Sequence, residues 1–230
     1  TEDLVVEHKQ VSTAQFDVHT RVLTLPMWER ASGIVYDMLV GHEVGHALYT
    51  PDEWDWRDRI PQQFMNVVED VRIEKLMKRK YLGIAKTFYR GYNELHEKDF
   101  FEIKDEDYNS FNLADRVNLF YKIGSFIDVS FSTAEKEIVD LIGKTETFED
   151  VVNAAEVLYQ YCKKQQEEKI SLENQSKKEE DKVEPNSEGQ TDEGKEGEEE
   201  SEVQSPQTPQ MQESGGESSD DIQEQEEPEV

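Results

Sequence analysis

The sequence is poor in cysteine, in basic residues and in long apolar runs, and each shortage removes a class of protein. A single cysteine among 230 residues, Cys162, cannot form an internal disulfide, which points to a reducing compartment and makes the cytoplasm the expected location. Only 25 Lys and Arg stand against 53 Asp and Glu, for a formal net charge of −28 and a pI near 4.4. Such a chain has no basic stripe to spare for a nucleic-acid backbone, and the short run Lys78-Arg79-Lys80 is too small to change that. No stretch approaches 18 consecutive apolar residues, so no membrane span is expected, and no secretory signal is recognisable after Thr1. No phosphate-cradling glycine loop and no internal repeat occur, so ATP binding by this chain itself is not expected.

What is present is unevenly placed. All 22 aromatic residues lie between Phe16 and Tyr161. From Gln166 to Val230 there are 23 acidic and 5 basic residues and only seven apolar ones, too few to bury a core. The expected organisation is one domain over residues 1–165 followed by a disordered, self-repelling acidic linker or tail over 166–230. A linker normally joins two modules, and its charge serves either that spacing or solubility alone.

Within the domain, residues 4–25 read as extended, with partial alternation in Ala14–Val18 and Arg21–Leu25 and Pro26 closing the second run. From about Ile34 the spacing turns helical, and Thr50-Pro51 stops that helix because proline disfavours α conformation in the residue before it. A second helix is expected over about 62–80, apolar on most faces near its start, and further helices over about 87–101, 111–124, 133–142 and 148–166. Ser132 and Glu135 have capping-box spacing, Gly143 is a helix stop, and Thr147 caps the last helix. The fold class is therefore α+β, mostly helical, with a small N-terminal β element.

The first long helix contains Gly41-His42-Glu43-Val44-Gly45-His46, a His-Glu-x-x-His pattern. Residues four apart share a helix face, so His42 and His46 can each offer a ring nitrogen to one Zn²⁺. Zinc lowers the pKa of a coordinated water, and Glu43, offset by one residue, is placed to take its proton as general base. Gly41 and Gly45 weaken the helix by roughly 1 kcal/mol each relative to alanine, which makes sense if another backbone packs closely there.

A catalytic zinc needs a third protein ligand, and the second helix supplies the nearest carboxylates in Asn66-Val-Val-Glu-Asp-Val-Arg-Ile-Glu74. Glu69 is 23 residues beyond His46, and Asp70 competes from about 100° further round the helix. Either acid has a plainer reading, a salt bridge to Arg72 or to another helix, and Asp70 has a third as acceptor for a histidine N–H.

Taken together, Phe16–Val18, Arg21–Pro26, Gly-His-Glu-Val-Gly-His-Ala-Leu-Tyr-Thr-Pro and the Asn66–Glu74 run resemble the N-terminal metallopeptidase-like part of phage and bacterial proteins. Those proteins are similar to the T subunit of aerobic cobalt chelatase. The resemblance covers residues 1–165, and 166–230 in composition only. It implies a zincin-like metallopeptidase domain with Zn²⁺, Glu69 as the third ligand, and an acidic linker leading to a von Willebrand A-like domain outside this chain. It further implies a cognate AAA+ ATPase of the MoxR or chelatase type, and host cytoplasm if the chain is phage-encoded. Position 73 is Ile, so the Glu-x-x-x-Asp pattern of thermolysin-like enzymes is missing.

Two functions follow as expectations: peptide or protein hydrolysis by metal-activated water, or a non-proteolytic subunit coupled to an ATPase. For hydrolysis, an edge strand at Val22 to Leu25 would align an extended peptide by strand addition. Tyr92, Arg90 and His96, with Tyr89, cluster on one expected helix and are candidates for oxyanion or substrate contacts. Trp54 and Trp56 follow the zinc helix, where substrate contacts or a core cover would fall. His8 and His19 have no ligand partners nearby in sequence, and Cys162 reads as a small buried hydrophobe.

Overall fold

Alternating residues in the first 26 positions build a three-stranded sheet, and among the described residues the regular elements after it are helices. The computed structural model describes residues 4–17, 19–28, 31–52, 56 and 58–180. Strands β1 (Val5–Lys9), β2 (Gln15–Asp17) and β3 (Val22–Pro26) lie in the order β1-β3-β2, with β1 parallel and β2 antiparallel to β3. Phe16 pairs with Leu23 across β2 and β3, and both are fully buried on the helical side. Because β3 is paired on both sides, Val22 to Leu25 is not the edge that strand addition requires; the edges are β1 and β2.

The helices are α1 (Gly33–Tyr49), α2 (Gln62–Lys80), α3 (Ile84–Glu97), α4 (Leu113–Ile123), α5 (Thr133–Gly143) and α6 (Phe148–Glu180). Ser32 caps α1 by accepting from the Val35 N–H, and its hydroxyl is tied to Glu94 of α3 at 2.5 Å. At the other end the Thr50 N–H returns to the His46 carbonyl before Pro51 ends the helix. Ser132 and Glu135 form the expected capping box, and Thr147 accepts from the Asp150 N–H at the start of α6.

Two expected boundaries move. Helix α3 runs from Ile84 to Glu97 rather than over 87–101, because Asp99 takes a left-handed backbone (φ 53°) and its carboxylate accepts the Ile103 and Lys104 N–H groups instead. Helix α6 continues past 166 to Glu180. Its Gln, Glu and Lys residues favour helix on their own, and Gln165 and most positions to Gln175 are exposed, so propagation outlasts burial. Of the tail expected to be disordered over 166–230, residues 166–180 are therefore helical, while 181–230, like Trp54, lie outside the described residues.

Two apolar clusters result. One joins α2, α4, α5 and α6 through Phe64, Val68, Val117, Ile142, Ala155 and Leu158, and includes Trp56 and Cys162. The other joins the sheet to α1, α3 and the end of α4 through Phe16, Leu23, Met38, Leu39, Phe88 and Ile123. Helix α2 is buried almost all round between them. The glycines of α1 are explained by side chains rather than by a backbone: a Cβ at Gly41 would lie 2.8 Å from Ile84 Cδ1, and one at Gly45 2.9 Å from Ile73 Cδ1. Gly91 on α3 is as tight, with Met38 Sδ 2.6 Å from where its Cβ would stand.

Helix α2 also holds the α5–α6 connection. Arg72, Lys75 and Arg79 share one face of α2. Arg72 donates to the Glu146 carbonyl at 3.4 Å, Lys75 to the carbonyls of Gly143 (3.0 Å) and Thr145, and Arg79 to both Glu146 carboxylate oxygens at 2.7 Å.

Candidate metal centre

The buried stripe of α1 reads Val35, Met38, Leu39, His42, Glu43, His46, so the two histidines extend an apolar face rather than interrupt it. They meet α2 at the seam between the two apolar clusters. There His42 Nε2 lies 3.3 Å from His46 Nε2, and Asp70 Oδ1 lies 3.4 Å from the first and 3.3 Å from the second. Asp70, not Glu69, is the carboxylate brought to the imidazole pair, and among the described residues these three form the group able to hold a metal ion.

The dimensions suit a small cation. Ligands 2.0–2.1 Å from a tetrahedral zinc stand about 3.3–3.4 Å from one another, which matches all three sides of the triangle. Asp70 Oδ1 is buried, makes no well-formed hydrogen bond, and has the two imidazole Nε2 atoms as its polar neighbours in the triangle. Its other oxygen accepts from Lys122 Nζ of α4 at 2.7 Å, which leaves Asp70 a single oxygen to offer. The residues present therefore fit a bound metal.

Each imidazole is held from behind. His42 Nδ1 is 3.1 Å from Glu74 Oε1, one turn beyond Asp70 on α2. A carboxylate only accepts, so Nδ1 carries the hydrogen and Nε2 faces the centre. The same Glu74 oxygen accepts from the Tyr92 hydroxyl of α3, and Lys78 donates to the other at 2.9 Å. His46 Nδ1 lies 3.0 Å from the Thr50 hydroxyl, which donates to Glu69 at 2.5 Å.

Glu69 is fully engaged elsewhere: Arg72 Nε and Nη2 donate to its two oxygens at 2.8 and 2.6 Å, the salt bridge that the sequence offered as its plainer reading. The phase of α2 decides this, because one residue of rotation carries Glu69 away from the imidazoles and Asp70 onto them.

The electrostatics follow from packing charges in a dry place. Burial alone would depress His42, but Asp70, Glu74 and Glu43 outweigh it and raise the imidazole pKa to about 10. Burial opposes the Asp70 charge, yet Lys122 and His42 hold its carboxyl well below the usual range. Glu74 is lowered to about 2, against burial, by Lys78 and His42. Tyr92 is pushed well above its ordinary value by burial first and then by Glu74, Asp70 and Glu43. Glu43 is thus close enough to act on both His42 and Tyr92, and it is 1% exposed.

Other expected site residues are dispersed. Of the α3 group only Tyr92 reaches the centre, through Glu74. Arg90 is exposed on the far side of α3, since two residues turn a helix by about 200°. His96 faces Phe126, with the rings stacked at 6.1 Å, and Tyr89 is 55% exposed against the same ring. His8 is exposed on β1, and His19 pairs with Asp52 at 2.7 Å. Sequence reasoning missed Lys122, Thr50 and the role of Glu74. A signal existed for Lys122, a cation between Leu119 and Ile123 on the buried side of α4.

No protein-family model, curated protein or solved structure matches this chain. Among the described residues no helix is long and apolar enough to cross a membrane.

Proposed function

We propose that the chain is a zinc-dependent metallopeptidase of zincin type, with His42, His46 and Asp70 as ligands and Glu43 as general base. The observation that carries this reading is the triangle of two Nε2 atoms and Asp70 Oδ1, with Glu43 buried beside His42 on the same helix. Zinc, when bound, supplies a Lewis acid and an acidified water. With the metal bound, a Glu43 carboxylate oxygen would be the group that holds the proton released on hydrolysis and passes it to the departing amine. Glu74 and Thr50 orient the two imidazoles, and Lys122 keeps Asp70 to one oxygen. The test is Glu43→Gln, assayed for zinc content and peptide cleavage together. Zinc retained with cleavage lost supports the peptidase.

A specific observation favours a second reading. His42, Glu43, His46 and Asp70 are each at most 2% exposed, and a peptide must reach such a centre. In a non-proteolytic cobaltochelatase-like subunit coupled to an AAA+ ATPase, the metal would instead brace α1 against α2. The resemblance to proteins carrying an acidic linker and a von Willebrand A-like domain supports that alternative. A zinc-loaded wild type that cleaves no peptide library, with or without such an ATPase, decides for it.

A further inference from the structure

We propose that Thr50 and Glu69 are positioning residues that hold His46 with its metal-facing nitrogen free of hydrogen, and that Arg72 locks this relay to the α5–α6 connection. The proposal rests on the metal-centre reading above and adds the group that prepares one of its ligands.

The argument is one of hydrogen counting. The Thr50 hydroxyl has a single hydrogen, and its contact with Glu69 Oε1 at 2.5 Å is to an atom that only accepts. That hydrogen is therefore committed to Glu69. The hydroxyl oxygen can then only accept at its other contact, 3.0 Å from His46 Nδ1, so the ring hydrogen sits on Nδ1. Nε2, 3.3 Å from both His42 Nε2 and Asp70 Oδ1, is left with its lone pair directed into the triangle. The fixed order of donor and acceptor along these three groups is sufficient for this.

The order holds only while Glu69 stays put, and Arg72 ensures that. It donates to both Glu69 oxygens at 2.6 and 2.8 Å, and its remaining N–H groups reach the Tyr49 carbonyl at 2.9 Å and the Glu146 carbonyl at 3.4 Å. One guanidinium thus ties the end of α1, the middle of α2 and the turn before α6 to the same carboxylate. Glu69 serves the centre through His46, without touching it.

The test uses the whole chain and Zn²⁺ affinity by competition with a chelator, with Co²⁺ absorption to report the ligand geometry. Thr50→Val keeps the shape and removes the hydroxyl; it is expected to weaken Zn²⁺ binding by about 10- to 100-fold. Thr50→Ser restores the hydroxyl and is expected to restore most of the affinity, with a Co²⁺ spectrum like that of the wild type. Glu69→Gln, which removes the charge at constant shape, is expected to weaken binding without changing the stoichiometry of one metal per chain. Wild-type affinity in both Thr50→Val and Glu69→Gln overturns the relay and leaves the metal centre standing. Thr50→Ser as weak as Thr50→Val, with circular dichroism unchanged, also overturns it. A wild type that takes up neither metal overturns the metal centre itself.

Discussion

Lys122 Nζ lies 2.7 Å from Asp70 Oδ2, and both side chains are 3–4% exposed, so the centre carries its own buried counter-ion before any metal arrives. Removing one member of a buried pair leaves the other charge without compensation. Lys122→Met is expected to lower the stability of the metal-free chain by about 3–5 kcal/mol. Saturating zinc is expected to recover part of that loss, because Asp70 then has another cation. Urea unfolding of both forms, with and without zinc, measures it; a loss under about 0.5 kcal/mol would show that the pair is not buried in solution.

The identity of the third ligand separates Asp70 from Glu69. Asp70→Ala and His46→Ala are expected to abolish stoichiometric zinc, whereas Glu69→Gln retains it at reduced affinity. Metal analysis after gel filtration distinguishes them. Full zinc in Asp70→Ala would remove Asp70 from the ligand set.

Proton competition gives a pH signature. In the metal-free chain His42 is raised to about 10 from an ordinary 6.5, so at pH 7 it is protonated and a metal must displace that proton. Zinc affinity is expected to rise by about tenfold per pH unit through neutrality, with roughly one proton released per zinc. The stability of the metal-free chain follows the same shifts. The His42 contribution is complete below 6.5 and is lost as pH rises toward 10; that of Glu74 is complete above 4.5 and is lost as pH falls toward 2. Stability from these two groups is therefore greatest between about pH 4.5 and 6.5. Calorimetric titration in buffers of different ionisation enthalpy counts the protons, and a pH series of urea midpoints locates the maximum.

The packing of Met38 of α1 against Gly91 of α3 gives the last prediction. Gly91→Ala would set a Cβ 2.6 Å from Met38 Sδ and 2.8 Å from Met38 Cβ, and is expected to cost about 1–3 kcal/mol. Gly33→Ala meets nothing within 4 Å and is expected to be neutral or slightly stabilising. Thermal melts of the two variants side by side check the contrast.

The sequence carried the imidazole pair, the limits of α2 and the capping box, because each is a local pattern that a helix must satisfy. It did not carry the phase of α2. That helix is buried on nearly all sides, so no apolar stripe marks the face turned toward α1. One clue was available. Glu69 has a cation at i+3, Arg72, while Asp70 has none at i+3 or i+4, where Ile73 and Glu74 stand. The acid with no local partner is the one with an oxygen left for the centre. Lys122 and Tyr92 come from helices distant in sequence, and their meeting with α2 is a property of packing alone.

Helix α6 gives the arrangement a mechanical aspect. Its buried apolar residues end at Cys162; Gln165, Gln166 and Lys169 still line a cavity with Asn109, Phe111 and Asn112, and the 11 residues from Ile170 to Glu180 continue the helix for about 16 Å. The opposite, N-terminal end of α6 begins at the turn gripped by Arg72, Lys75 and Arg79. A load along the axis of α6 is carried through its packed segment to that turn, where Arg72 is one residue of the grip that also holds Glu69. Whatever pulls on the far end of α6 therefore pulls against the same guanidinium that stands behind His46.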